Sequence, residues 1–155
     1  MKPPDFNGLR WLTDHAWPLW VSHGIDWKRR AFHEHLDGST LQCKAPFRRL
    51  RVAARQTYVF SHAARHGVPQ AADAVALGLD FLRGPARLAG GGYAWRFDLD
   101  NRPVDATRDL YDHAFVLLAV AAAAGVVGAA AVRADAQTLM DFIASAFAHP
   151  HGGYR

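Results

Sequence analysis

The chain has 155 residues, half of them apolar, with 15 Arg and 3 Lys set against 13 Asp and a single Glu, and a sequence pI near 9.6. That supply of apolar side chains builds one sizeable core, which excludes a disordered tail and a string of many domains. A lone cysteine, Cys43, excludes a disulfide framework and any multi-cysteine zinc module and suits a reducing compartment.

The start, Met1-Lys2-Pro3-Pro4-Asp5, lacks the apolar run of a signal peptide, so a cytoplasmic location is expected. From about Phe6 to His23, Leu9, Leu12, Ala16, Leu19 and Trp20 recur at helical spacing, giving an amphipathic helix strained at Pro18 and ended by Gly24. Ala31 to Leu36 alternates, meets the turn dipeptide Asp37-Gly38 and returns through Thr40 to Gln42, which predicts a first short β-hairpin. Pro46 opens a second helix, about Phe47 to Arg65, closed by Gly67 and Pro69. Its cations, Arg48, Arg49, Arg51 and Arg55, are the densest in the chain, but they sit on one helical pattern rather than a contiguous basic face, so no nucleic-acid partner is expected.

A third helix is predicted from about Gln70 to Leu82, stopped by Gly84-Pro85. Gly90-Gly91-Gly92 leads into Tyr93–Phe97, the turn-rich Asp98–Asn101 and then Arg102-Pro103-Val104, a second short hairpin. A fourth helix runs from about Thr107 to Ala124, with Thr107 or Asp105 as candidate cap, and a fifth from about Ala129 to Ala148. Ala114 to Val132 is uncharged and almost long enough to cross a bilayer, but its apolarity is mostly alanine and Gly125 and Gly128 supply a turn. Two helices meeting at a tight turn are expected there, and no membrane partner.

The order helix, hairpin, helix repeats, with a period near 60 residues: Gly67 and Gly125, each read as closing the helix that follows a hairpin, lie 58 positions apart. Repetition at that spacing marks a helical array or toroid whose helix pairs bury their apolar faces only against neighbours. The terminal Gly152-Gly153-Tyr154 repeats Gly91-Gly92-Tyr93, as though a third hairpin were beginning.

Five stretches carry a family resemblance: Arg51-Val-Ala-Ala-Arg55-Gln-Thr-Tyr-Val-Phe60, Gly78-Leu-Asp-Phe-Leu82, Gly91-Gly-Tyr93, Asp109-Leu-Tyr-Asp-His-Ala-Phe-Val-Leu-Leu-Ala119 and His149-Pro-His-Gly-Gly-Tyr154. In this order and spacing they resemble the N-acylglucosamine 2-epimerase superfamily, which includes mannose isomerases and cellobiose 2-epimerases. The resemblance implies an all-α (α/α)6 toroid. Residues 1–155 would form the amino-terminal portion of a single (α/α)6-barrel domain, about five helices with two short β-hairpins, the remainder of the barrel being absent.

The implied chemistry is a proton shuttle at C2 of a ring-opened aldose through an enediolate, on a small-molecule sugar, with no metal and no nicotinamide or other cofactor. Histidine suits the shuttle because it titrates near neutrality, and an enediolate needs a fixed cation or donor at its developing oxyanion. The family's shuttle histidines and glutamate lie on later inner helices, beyond Arg155. Residues carried over from the family are Arg55, as the arginine that hydrogen-bonds substrate oxygens near the reacting carbon, and Tyr111, as a residue lining the sugar pocket.

The residues themselves also single out this face. Arg51, Arg55, Tyr58 and His62 recur at spacings of three and four, too polar for a core stripe, and a guanidinium offers several donors to vicinal oxygens. Arg51, Trp95 and His113 complete the candidate substrate set, with Trp95 as a stacking platform and His113 beside Tyr111. Each has a plainer reading: Arg55 as an ion-pair partner of Asp109 or Asp112, Tyr111 and Trp95 as core aromatics, His113 turned toward a neighbouring helix. His33 and His35 alternate without a convincing third ligand, so they read as exposed hairpin histidines. The alternative function is a non-catalytic helical-repeat scaffold or inactive fragment. An unpartnered apolar flank on the fourth and fifth helices is expected to drive self-association, hence a homo-oligomer.

Overall fold

A computed structural model describes residues 7–154, so the Met1–Asp5 stretch, the helix start at Phe6 and Arg155 lie outside the described residues. Helix α1 (Gly8–Trp11) passes through one wide π turn (Leu12–Ala16) into α2 (Trp17–His23). The strain expected at Pro18 is taken up there. Pro18 stands in the first turn of α2, where its missing N–H costs nothing, and the wider turn just before it shifts the hydrogen-bond register.

The first hairpin lies earlier than the sequence suggests. Strand β1 (Ile25–Asp26) pairs antiparallel with β2 (Ala31–Phe32), so residues 31–42 do not form it. Asp37 is the reason: its Oδ1 accepts from the amides of Ser39 and Thr40 and from both their hydroxyls, closing a local turn that competes with strand pairing. The second hairpin falls where predicted, as β4 (Arg96–Phe97) and β5 (Pro103–Asp105), and β3 (Arg48–Arg49) adds to it as a third strand.

Four long helices follow: α3 (Leu50–Arg65), α4 (Ala71–Arg83), α5 (Leu110–Val127) and α6 (Ala129–Phe147). Three predicted details change. Helix α3 starts at Leu50 rather than Phe47, so Arg48 and Arg49 stand on β3 and not on the helical face of Arg51 and Arg55. The cap of α5 is Asp109, whose side chain accepts the Asp112 amide at 3.1 Å, rather than Thr107 or Asp105. Gly128, not Gly125, ends α5, at φ 90°, and the α5–α6 turn is that one residue. Leu110–Val127 is long and apolar enough to span a membrane by length and composition, yet Val116, Ala119, Val120 and Ala123 on it are buried against the other helices.

Helices α3 and α5 run side by side and parallel. Arg51 meets Asp112 at their amino-terminal ends, and a Cβ on Gly125 would stand 3.3 Å from Arg65 Cδ at the other. Helices α4 and α6 return antiparallel behind them, tied by Arg83 and Asp135 at 2.7 Å. The core between the layers holds Leu50, Phe60, Val75, Leu77, Leu82, Phe97, Val116 and Val120, with Phe32 stacked on Phe60 and Phe81 edge-on to Phe97. Glycine is required at residue 78, where an added Cβ would lie 2.0 Å from Thr57 Oγ1.

The repeat is visible in the loops. The bridges Arg87 to Tyr93 and Ala148 to Tyr154 lie 61 positions apart, and each loop closes with the same two backbone bonds, Leu88 N to Gly92 O and Gly91 N to Leu88 O, then His149 N to Gly153 O and Gly152 N to His149 O. Both glycines of each pair have positive φ. A further step back of 61 reaches Asp26 and Phe32 in the β1–β2 hairpin. The architecture is an all-α arc of alternating helices, part of an α/α toroid, with two small antiparallel sheets at the ends of the helices.

Candidate functional site

The site is built where the amino-terminal ends of α3 and α5 lie together under the three-stranded sheet. Trp95 is placed by its backbone, which accepts the Leu50 amide and donates to Asp105 O, both at 3.0 Å. Its ring and Arg51 line a cleft of about 200 Å³ with Asp105, Thr107 and Asp109. The Arg96 guanidinium lies 5.6 Å from the rings of both Trp95 and Phe47, bracing the tryptophan from the sheet side.

Arg55, one turn along α3, donates from Nη2 to the Tyr111 hydroxyl at 2.8 Å and lies 4.3 Å over the Phe115 ring. Both Arg55 and Tyr111 are exposed on the open face of the α3–α5 pair. The acid partner considered for Arg55 belongs to Arg51 instead: Arg51 Nε stands 2.9 Å from Asp112 Oδ1, while its guanidinium lies 5.4 Å from the centre of the Tyr111 ring. Arg51, Arg55, Trp95 and Tyr111 therefore form one continuous surface. Tyr58 and His62 continue the same helix face toward a second cleft, of about 340 Å³, shared with Leu9, Leu12 and Trp17.

His113 lies apart from this surface. It is fully buried, its Nδ1–H donates to Asp109 O at 2.7 Å, and its Nε2 accepts the Tyr93 amide at 3.0 Å, so the ring is a neutral structural tautomer. Burial holds its pKa below the ordinary value despite the backbone bond to Asp109. Phe142 stacks on it at 5.3 Å, and the positive-φ Gly92 leaves the room: a Cβ there would meet Phe142 at 2.5 Å. His33 is half-buried and His35 exposed, and no three potential metal-ligating side chains converge among the described residues.

Two carboxylates have partners that the sequence did not assign. Glu34, the one glutamate, is buried; it accepts the Arg49 amide at 2.9 Å and pairs with the Arg49 guanidinium, fixing the start of α3. Asp112 is buried on α5 immediately after Tyr111. Its contact with Arg51 is at ion-pair distance but off the N–H axis, so neither Nε nor either carboxylate oxygen makes a directed hydrogen bond. Burial pushes its pKa up to about 6, against the pull of Arg51. The available signal was the period: a step of 61 from Arg51 lands on Asp112.

The model of the N-acylglucosamine 2-epimerase (GlcNAc 2-epimerase) family matches residues 31–155. The chain is 37% identical over 115 residues to a mannose-6-phosphate isomerase of Rhizobium meliloti (strain 1021), covering 72% of this chain and 29% of that protein. A sugar epimerase from a ruminal bacterium superposes with a TM-score of 0.85 at 23% identity, over 95% of this chain and 38% of that one. A cellobiose 2-epimerase from Spirochaeta thermophila DSM 6192 gives 0.83 at 24%, over 94% and 37%, and a D-mannose isomerase 0.81 at 24%, over 97% and 39%. The chain thus spans less than two fifths of the length of these relatives. With its toroid arc and a family model matched over most of its length, the chain belongs to the N-acylglucosamine 2-epimerase family of sugar isomerases and epimerases.

Proposed function

We propose that this chain forms the oxygen-binding side of the active site of a sugar isomerase or 2-epimerase acting on a ring-opened aldose such as mannose or an N-acetylhexosamine. The observation that carries the reading is the Arg55–Tyr111 bond on the open face of two parallel helices, with Arg51 and Trp95 beside it. In the reaction a base takes the C2 proton, and the electron pair left behind delocalises into the C1 carbonyl to give an enediolate. The proton then returns to the opposite face of C2, giving the epimer, or goes to C1 while the O2 hydroxyl proton passes to O1, giving the ketose. Arg55 supplies fixed positive charge to the developing oxyanion, where a preorganised donor acts most strongly, and Arg51 binds substrate oxygens at the edge of the cleft. Tyr111 holds Arg55 in place and Trp95 offers a face to the sugar ring. His113, buried with both nitrogens satisfied, takes no part in the proton transfer.

The test is to incubate the intact protein with mannose, N-acetylmannosamine or cellobiose in deuterated water and to follow label at C2. Exchange with at least one sugar is expected. No exchange with any of them overturns the enzyme reading in favour of a non-catalytic scaffold.

A further inference from the structure

Asp112 has a place in the site that the proton shuttle does not explain. Its side chain is 1% exposed and that of Arg51 25%, and the buried end of Arg51 is Nε, the end that faces Asp112. The accessible part of Arg51 thus borders the cleft that it lines with Trp95. The same guanidinium lies over the Tyr111 ring, and the Tyr111 hydroxyl receives the Arg55 bond. A chain of contacts runs from Asp112 through Arg51 and Tyr111 to Arg55.

A buried carboxylate without a directed hydrogen bond stabilises a fold poorly, and a well-packed apolar side chain of similar volume would commonly do better. We propose that Asp112 is a positioning residue, holding the Arg51 guanidinium against Tyr111 and at the edge of the cleft so that both arginines meet the substrate's oxygens in a fixed arrangement. The substrate role of Arg51 rests on the isomerase reading; the anchoring of Arg51 by Asp112 does not. The charges that act on Asp112 are Arg51 and Arg55 from α3, Arg49 from β3 and Asp109 at the α5 cap. Protonation of Asp112 removes the charge that holds Arg51 and frees its guanidinium.

Two measurements on the intact protein test this. In the first, arginine is labelled with 15N at Nε and the Arg51 signal is identified by its loss in Arg51→Lys. A slowly exchanging signal that shifts with a midpoint near pH 6 is expected, lost or pH-independent in Asp112→Asn and partly restored in Asp112→Glu. An Arg51 signal unchanged in Asp112→Asn overturns the proposal, whether or not the protein turns over any sugar.

The second measurement is steady-state kinetics. Asp112→Asn is expected to raise KM about tenfold with kcat changed less than about threefold, and to abolish a rise in KM below pH 6 seen in the parent. A variant that melts at lower temperature but keeps the parent KM and its pH profile makes Asp112 merely structural and overturns the proposal. An inactive parent protein refutes the isomerase reading and leaves the spectroscopic measurement to decide the anchoring.

Discussion

The Tyr93 amide donates to Nε2 of His113 across 3.0 Å, joining the Gly91-Gly92 loop to the first turns of α5 through a neutral imidazole. Unfolding releases that ring to its ordinary pKa near 6.5, where it takes up a proton that the folded state refuses. The stability from neutral His113 is therefore present above pH 6.5 and lost as pH falls below it. His113→Gln should flatten the fall in melting temperature between pH 7 and 5 relative to the parent. His113→Ala should lose about 2–4 kcal/mol at pH 7, measured by denaturant titration, because it leaves a cavity and an unpaired Tyr93 amide.

Arg48 joins the two hairpins. Its side chain, 4% exposed, donates to Phe32 O at 3.2 Å, to Asp98 O, Leu99 O and Asn101 Oδ1, and to Asp26 Oδ2 at 2.8 Å. Burial raises the pKa of Asp26, but the Arg29 amide and the Arg48 charge outweigh it and hold the carboxyl below its ordinary value. Arg48→Met should cost about 1–3 kcal/mol by chemical denaturation, since it takes the donor from the carbonyls of Phe32, Asp98 and Leu99 and one of two cations from the half-buried Asp26, which keeps Arg29. Adding Asp26→Asn should recover part of that loss in a double-mutant cycle.

Gly78 lets α4 sit against α3, with Thr57 Oγ1 filling the space that a Cβ would claim. Gly78→Ala should destabilise the fold by about 1–3 kcal/mol in thermal or denaturant unfolding. In the Thr57→Ala background the penalty should shrink, because the clashing hydroxyl is gone.

Tyr111→Phe keeps the ring under Arg51 and removes the acceptor of the Arg55 bond. On the proposed function it should raise KM for the sugar several-fold with little change in melting temperature. Arg55→Ala should lower kcat/KM by about a hundredfold or more, as expected for a donor at a developing oxyanion. Steady-state kinetics beside a melting curve separates these effects from instability.

Leu118 and Met140 are each 44% exposed along a groove between α5 and α6 that Leu110, Ala114, Leu117 and Ile143 also line. The 155-residue chain should associate with rising concentration in sedimentation velocity. Leu118→Glu with Met140→Glu should restore a monomer.

The helices were legible because each kept its own punctuation: Pro46 before α3, Gly67 after it, Gly84-Pro85 after α4. The period was legible too, and the structure refines it to 61 residues. The first hairpin was misplaced because Asp37-Gly38 makes a strong local turn whose side-chain bonds need no partner strand. Arg51 and Arg55 were singled out by polar spacing, Arg55 and Tyr111 by resemblance and Trp95 as a hairpin aromatic, and the fold brings the four side by side. The inward direction of His113 and Asp112 was not legible, since both depend on how far α5 is rotated against α3 and on the room left by Gly92. Tertiary packing, rather than local propensity, decides that rotation.

The step of 61 that carries Arg51 onto Asp112 also makes the array directional. At this one station consecutive units bear opposite charge, which favours the observed order of the two. Duplicating either helix in its neighbour's place would set like beside like at the mouth of the cleft. One pair at the seam thus marks which unit comes first, and at that place the two units are not exchangeable parts.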